Sequence, residues 1–121
     1  MTGKIIGAAI RIHSTVGPGL LESAYRACVV NELESCGLAV QSEVQLPIVY
    51  NGLRIDAGYR VDVIVEDTVV IEIKAIASVL PVHKAQLLSY LTLGAYPVGL
   101  LINFHVLRLK HGITRMVNNL K

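Results

Sequence analysis

The sequence predicts a mixed α/β fold, and three observations carry that expectation. Two stretches with apolar residues at helical spacing come first, three stretches of apolar–polar alternation follow, and a proline-initiated helix then leads into a fully apolar strand candidate. The expected order is helix, helix, three strands, helix and one or two strands, with the late helix crossing over to return the chain to its sheet. At 121 residues the chain has the size of one domain, spanning 1–121, with a core of its own.

Taken in order, Thr2 can cap a first helix in which Ile5, Ile6, Ala9 and Ile10 recur at helical spacing until Gly17-Pro18-Gly19 stops it. A second helix is expected from about Leu20. It carries Leu21, Ala24, Tyr25, Cys28, Val29, Leu33 and Cys36 on an apolar stripe and ends at Gly37. From Val40 the period changes to two, with Val44, Leu46, Ile48 and Tyr50 on one side and Pro47 marking an edge or an irregularity. Asn51-Gly52 signals a hairpin turn, and the long strand after it, Leu53 to Val65, contains Gly58 as a bend or bulge. Pro81 suits the first position of a third helix running to about Leu93. Val98 to Asn103 reads as a buried strand, Val106 to Lys110 as another, and a short amphipathic tail runs on to Lys121.

The stretch from Arg60 to Lys74, RVDVIVEDTVVIEIK, is the centre of the reading. Alternation puts Val61, Val63, Val65, Val69, Ile71 and Ile73 on one face of a strand pair. Arg60, Asp62, Ile64, Val70, Glu72 and Lys74 take the other. Pairing centred on Asp67 satisfies the parity of both strands and sets Asp62 opposite Glu72, with Cβ atoms about 4.5–5.5 Å apart. Two carboxylates and a lysine on one face suit phosphodiester hydrolysis assisted by Mg²⁺ or Mn²⁺, cations that prefer oxygen ligands. The competing account is a salt-bridge ladder of Arg60, Asp62, Glu72 and Lys74. Against it, Glu72 and Lys74 sit in a very apolar strand, where unpaired charge is costly.

Composition narrows the partners. Hydrophobic residues make up 53% of the chain, yet the longest apolar run, around Tyr96 to Phe104, falls well short of the roughly 18–20 residues of a membrane span. A partly apolar surface used to form a homodimer is the expectation. All nine acidic residues lie at or before Glu72, while residues 74–121 hold six Lys or Arg and three of the four histidines. That basic half would attract phosphates, unless it is only a solvated face. Cys28 and Cys36, about 12 Å apart along one helix, cannot bridge each other. Together with the lack of a secretory leader, they point to the cytoplasm.

Other residues could extend the site. Glu22 opens the second helix, where it either complements the helix dipole or supplies a further metal or water ligand. Gln86 and Tyr90 share a helix face and either contact nucleic acid, steady the metal site or pack on the sheet. His83 and Lys84, at the start of that helix, are candidate phosphate contacts, and Arg60 joins them. His13, His83, His105 and His111 show no mutual ligand spacing.

Several of these pieces together resemble one known family. Gly19-Leu20-Leu21-Glu22-Ser23-Ala24-Tyr25 is similar to the signature of the GxxExxY proteins, a group within the PD-(D/E)XK nuclease superfamily. GYRVD around Asp62, IEIK around Glu72 and Lys74, PVHKAQLLSYL from Pro81 and GLLINF from Gly99 continue the likeness over nearly the whole chain. The resemblance implies a restriction-endonuclease-like α/β core, a central mixed sheet of about four to five strands flanked by helices. It implies Asp62 and Glu72 as metal ligands, Lys74 as catalytic lysine and Glu22 as the acid from the preceding helix. Gln86-x-x-x-Tyr90 looks like an element of the RecB-like and phage-exonuclease branches. Ala57 stands where a cysteine is common, and Ala77 and Lys84 where acids are common. The function implied is Mg²⁺- or Mn²⁺-dependent hydrolysis of DNA. The alternatives are a nucleic-acid-binding module without useful catalysis, or a homodimeric interaction protein with the same fold.

Overall fold

Strand pairing in the middle of the chain sets the architecture. The computed structural model describes residues 1–118, apart from the side chains of Ala57 and Gly58. Strands β1 (Val40–Tyr50) and β2 (Leu53–Val65) pair antiparallel through the turn at Asn51-Gly52. Both turn residues have positive φ, 49° and 80°, which matches the twist of the flanking strands and which Asn and Gly adopt at least cost. The register shifts between Leu46 and Ile48, at Pro47, opposite the span from Ile55 to Tyr59 in which an irregularity is expected. Proline has no N–H to give to a ladder, so it fits this break.

Strand β3 (Val69–Lys74) follows a turn at Glu66-Asp67 and pairs with β2 as Val65↔Val69, Ile64↔Val70 and Val63↔Ile71, the register centred on Asp67. Strand β4 (Val98–Asn103) lies parallel to β3 along its whole length, and β5 (Ile113–Val117) runs antiparallel to β4. The result is one mixed five-stranded sheet in the order β1-β2-β3-β4-β5. Its parallel centre is covered on both faces, which is why VVIEIK and VGLLIN read as nearly continuous apolar runs.

Helices α1 (Thr2–Val16) and α2 (Glu22–Ser35) cover one face. Ile5, Ala8, Tyr25, Val29 and Leu33 there pack with Val63, Ile71, Ile73, Leu100 and Ile102. Helix α3 (Pro81–Gly94) carries the crossover from β3 to β4 and covers the other face, where Leu87, Tyr90 and Leu91 meet Ile64, Val70 and Leu101. Helix α2 ends as expected: the Leu38 N–H donates to Leu33 O at 3.2 Å and the Gly37 N–H to Glu34 O at 2.9 Å, a paired closure of the last turn.

Five local expectations change. Thr2 is the first helical residue and not the cap, since Met1 holds that position without a side-chain hydrogen bond. Helix α2 begins at Glu22, and Leu21 is 76% exposed because the extended residue before the helix points away from the stripe. Cys36 is exposed and Cys28 half-buried, both free. Val61 packs on the α3 side with Leu46, not with Val63; before Val63, β2 has left β3 and is paired with β1, where Glu43 takes a φ of 53°. Val106 to Lys110 is not a strand: the chain bends there, makes a short 3-10 turn at Leu109–Gly112 and then forms β5. Leu109 is buried in the α1 and α2 core and the His13 Nε2–H donates to Val106 O at 2.7 Å, which pins the segment across the sheet end. Residues 119–121 of the expected tail lie outside the described residues.

Candidate active site

Where β2 and β3 part, two backbone amides have no ladder partner. Two carboxylates take them. The Asp62 N–H donates to Glu72 Oε1 at 3.2 Å, and the Ile73 N–H donates to Asp62 Oδ2 at 2.8 Å. Each acid is therefore fastened to the other's strand, and the expected opposition of Asp62 and Glu72 holds one step past the last ladder pair, Val63↔Ile71.

Glu72 is only 4% exposed. Burial, and then the charge of Asp62, push its carboxyl up to about 8. The Asp62 carboxyl is also raised, first by burial, although the Ile73 amide, Arg26 and Lys74 pull it back. Lys74 follows on the same strand, half-buried, with no ion pair among the described residues. Its charge favours ionisation of both acids.

The chain after Lys74 is clamped by a residue that the sequence reading missed. Asn103 pairs with Lys74 across β3 and β4 and is buried. Its Oδ1 accepts the Ile76 N–H at 3.1 Å and the His105 N–H at 3.2 Å, while its Nδ2 donates to Ile76 O at 2.9 Å. The available signal was a single amide closing an otherwise apolar strand.

From the opposite side, the Gly19-to-Tyr25 signature delivers Glu22. Gly19 has φ 104°, a conformation that L side chains rarely adopt. The Tyr25 hydroxyl donates to Gly17 O at 2.5 Å and accepts the Leu20 N–H at 3.1 Å. The Tyr25 ring stacks on Phe104 with centroids 4.3 Å apart. Glu22 Oε2 accepts the Ala75 N–H at 3.4 Å, and its charge reaches both Asp62 and Glu72. These acids remain a loose set: among the described residues, no group of three or more His, Cys, Asp or Glu side chains is arranged to hold a metal ion.

Arg26, one turn beyond Glu22, was also missed. Its Nη2 lies 2.8 Å from Glu43 Oε1 and its Nη1 lies 3.5 Å from Asp62 Oδ1. Arg60 pairs with Glu43 at 3.7 Å. The ladder of Arg60, Asp62, Glu72 and Lys74 therefore does not form among the described residues.

A family profile described as the PD-(D/E)XK nuclease superfamily matches residues 1–116. The chain belongs to that superfamily. No curated protein and no solved structure matches it.

The mixed sheet and its flanking helices agree with the restriction-endonuclease-like fold of this superfamily. The α3 residues stand near the acid pair in two groups. Tyr90 is buried, its phenol raised first by burial and then by Glu72 and Asp62, so it keeps its proton; Gln86 is half-buried one turn earlier. Lys84 is exposed, and the His83 ring closes the first turn of α3, accepting the Leu80 N–H at Nδ1 at 2.9 Å. Arg60 is exposed on β2.

Proposed function

We propose that the protein is a metal-dependent deoxyribonuclease, a single nuclease-like domain over 1–121 that hydrolyses phosphodiester bonds at Asp62, Glu72 and Lys74. One observation carries the reading. Two acids are held side by side, Glu72 by the Asp62 N–H and Asp62 by the Ile73 N–H, with a half-buried lysine two residues after Glu72. A buried acid pair whose ionisation is opposed by burial and by mutual repulsion gains most from a cation.

The donor set fits a hard divalent ion, because carboxylate oxygens suit Mg²⁺ and Mn²⁺ better than they suit soft metals. Asp62 and Glu72 would hold it, with Glu22 as the third acid. When bound, such an ion polarises a phosphoryl oxygen and lowers the pKa of a coordinated water. Lys74 supplies positive charge to the phosphate as negative charge builds on it. Tyr90, protonated, is a donor for the same group, Gln86 and His83 face the nucleic acid beside it, and Lys84 and Arg60 hold the flanking backbone. The Asn103 clamp keeps the peptide after Lys74 from drifting, and positioning of this kind governs rate as strongly as charge does.

Arg26 favours a second reading, a nucleic-acid-binding module without catalysis, since it occupies one side of Asp62 that a metal would otherwise use. Cleavage of single-stranded, duplex and branched DNA with and without Mg²⁺ separates the two. Under the nuclease reading Lys74→Ala lowers the rate at least about 100-fold with an unchanged fold by circular dichroism, and chelation abolishes activity. Equal rates in wild type and variant, or no cleavage of any substrate, would leave the binding module.

A further inference from the structure

Beside the acid pair lies a cavity with different chemistry. Tyr59, Val82, His83, Ala85, Gln86 and Ser89 line it. Tyr59 stands on β2 with its side chain on the solvent side, 40% exposed. Its ring meets that of Tyr90 in a T-shaped contact, with centroids 5.3 Å apart and planes at 64°. Tyr90 in turn lies close enough to Glu72 and Asp62 to feel their charge. The cavity is thus continuous with the site through a single aromatic contact.

We propose that Tyr59 and this cavity form a subsite for an unpaired nucleobase next to the phosphate held at Asp62, Glu72 and Lys74. The inference rests on the nuclease reading and adds the class of substrate: nucleic acid with single-stranded character at the cut. Three features support this occupant over phosphate or protein. An exposed aromatic face beside apolar walls attracts a flat π-system, and base–aromatic stacking is the common device for unpaired bases. The polar groups at its border suit a base edge: Gln86 offers both an amide donor and an acceptor. His83 uses Nδ1 as an acceptor for the Leu80 N–H, which leaves Nε2–H as a donor. Finally, among the described residues no acid lines the cavity, and Lys84, next to His83 on α3, is an exposed cation that can meet a neighbouring phosphate. In a duplex the π-faces are already stacked, so this subsite has nothing to offer paired DNA.

The test is fluorescence anisotropy with a labelled short single-stranded DNA and the matching blunt duplex, in EDTA so that neither is hydrolysed. Tyr59→Ala is expected to weaken single-strand binding by about 5- to 150-fold, the range for losing one base–aromatic stack, with duplex binding unchanged. Tyr59→Trp should restore it, and Tyr59→Leu, which keeps an apolar side chain without a π-face, should behave like the alanine variant even if that variant is poorly folded. Equal binding by wild type and both truncations overturns the subsite, as does an equal loss on both probes. So does a change of mass in light scattering with affinity intact, which would make the cavity a contact between copies. If wild type binds neither probe, the subsite falls, and the cleavage assay alone decides the nuclease reading. If it binds both without discrimination by Tyr59, only the subsite falls.

Discussion

An acid that is 4% exposed beside a second acid couples chemistry to stability at the level of the residue. The Glu72 carboxyl titrates near 8 in the folded chain against 4.5 when free. Below about 4.5 both folded and unfolded forms are protonated and Glu72 costs nothing. Between those values the unfolded chain releases the proton and the folded chain keeps it, so stability falls as pH rises and levels off above about 8. The raised Asp62 carboxyl acts in the same direction. The unfolding free energy from urea titrations between pH 4 and 9 should therefore decline by an amount on the order of a few kcal/mol, and Glu72→Gln should flatten the curve. Mg²⁺ should raise the midpoint more at high pH than at low pH, because it binds the ionised pair. Asp62, Glu72 and Lys74 were legible because alternation assigns each to a face. Arg26, Asn103 and Tyr59 were not, because their partners lie on other elements and no spacing along the chain marks them.

At the scale of elements, the loop before α2 shows how three residues of one motif divide the labour. Gly19 provides the turn, Tyr25 ties the loop down and Glu22 reaches the strand ends. Tyr25→Phe keeps the ring stack on Phe104 but removes the hydroxyl bridge between Gly17 and Leu20. It is expected to cost about 1 kcal/mol in urea unfolding and to reduce cleavage through Glu22 rather than through Asp62. Helix and hairpin ends were read well from sequence because Gly37, Asn51-Gly52 and Pro81 act locally. The stretch from Val106 to Lys110 was misread because its pattern imitates a strand. Gly112 decides the outcome there: a Cβ on it would collide with Asn103 O, and this close approach is a tertiary fact.

For the whole molecule, the 53% hydrophobic content has two sources. One is the sheet centre, buried on both faces, with β3 and β4 almost wholly apolar. The other is the β1–β2 arm, whose Val49, Tyr50 and Leu53 are 63%, 67% and 62% exposed. A two-stranded arm is marginally stable alone, and the homodimer expected from composition would cover its exposed apolar end. Light scattering should give about twice the 13.1 kDa chain mass, and Tyr50→Lys with Leu53→Lys should return it to the monomer. Among the described residues no helix is long and apolar enough to cross a membrane, in agreement with the short apolar runs. The order of elements was legible because each has its own period. The covering of both sheet faces was not, since period alone does not say how many neighbours a strand acquires.

The parting of β2 from β3 has an evolutionary consequence. Each acid closes a gap in the sheet as well as facing the candidate site, and an uncharged amide in its place would accept the same backbone N–H without the cost of ionisation that burial imposes. A descendant that had lost its chemistry at Lys74 would be expected to drift from Asp62 and Glu72 towards asparagine and glutamine, keeping the stitches and shedding the charge.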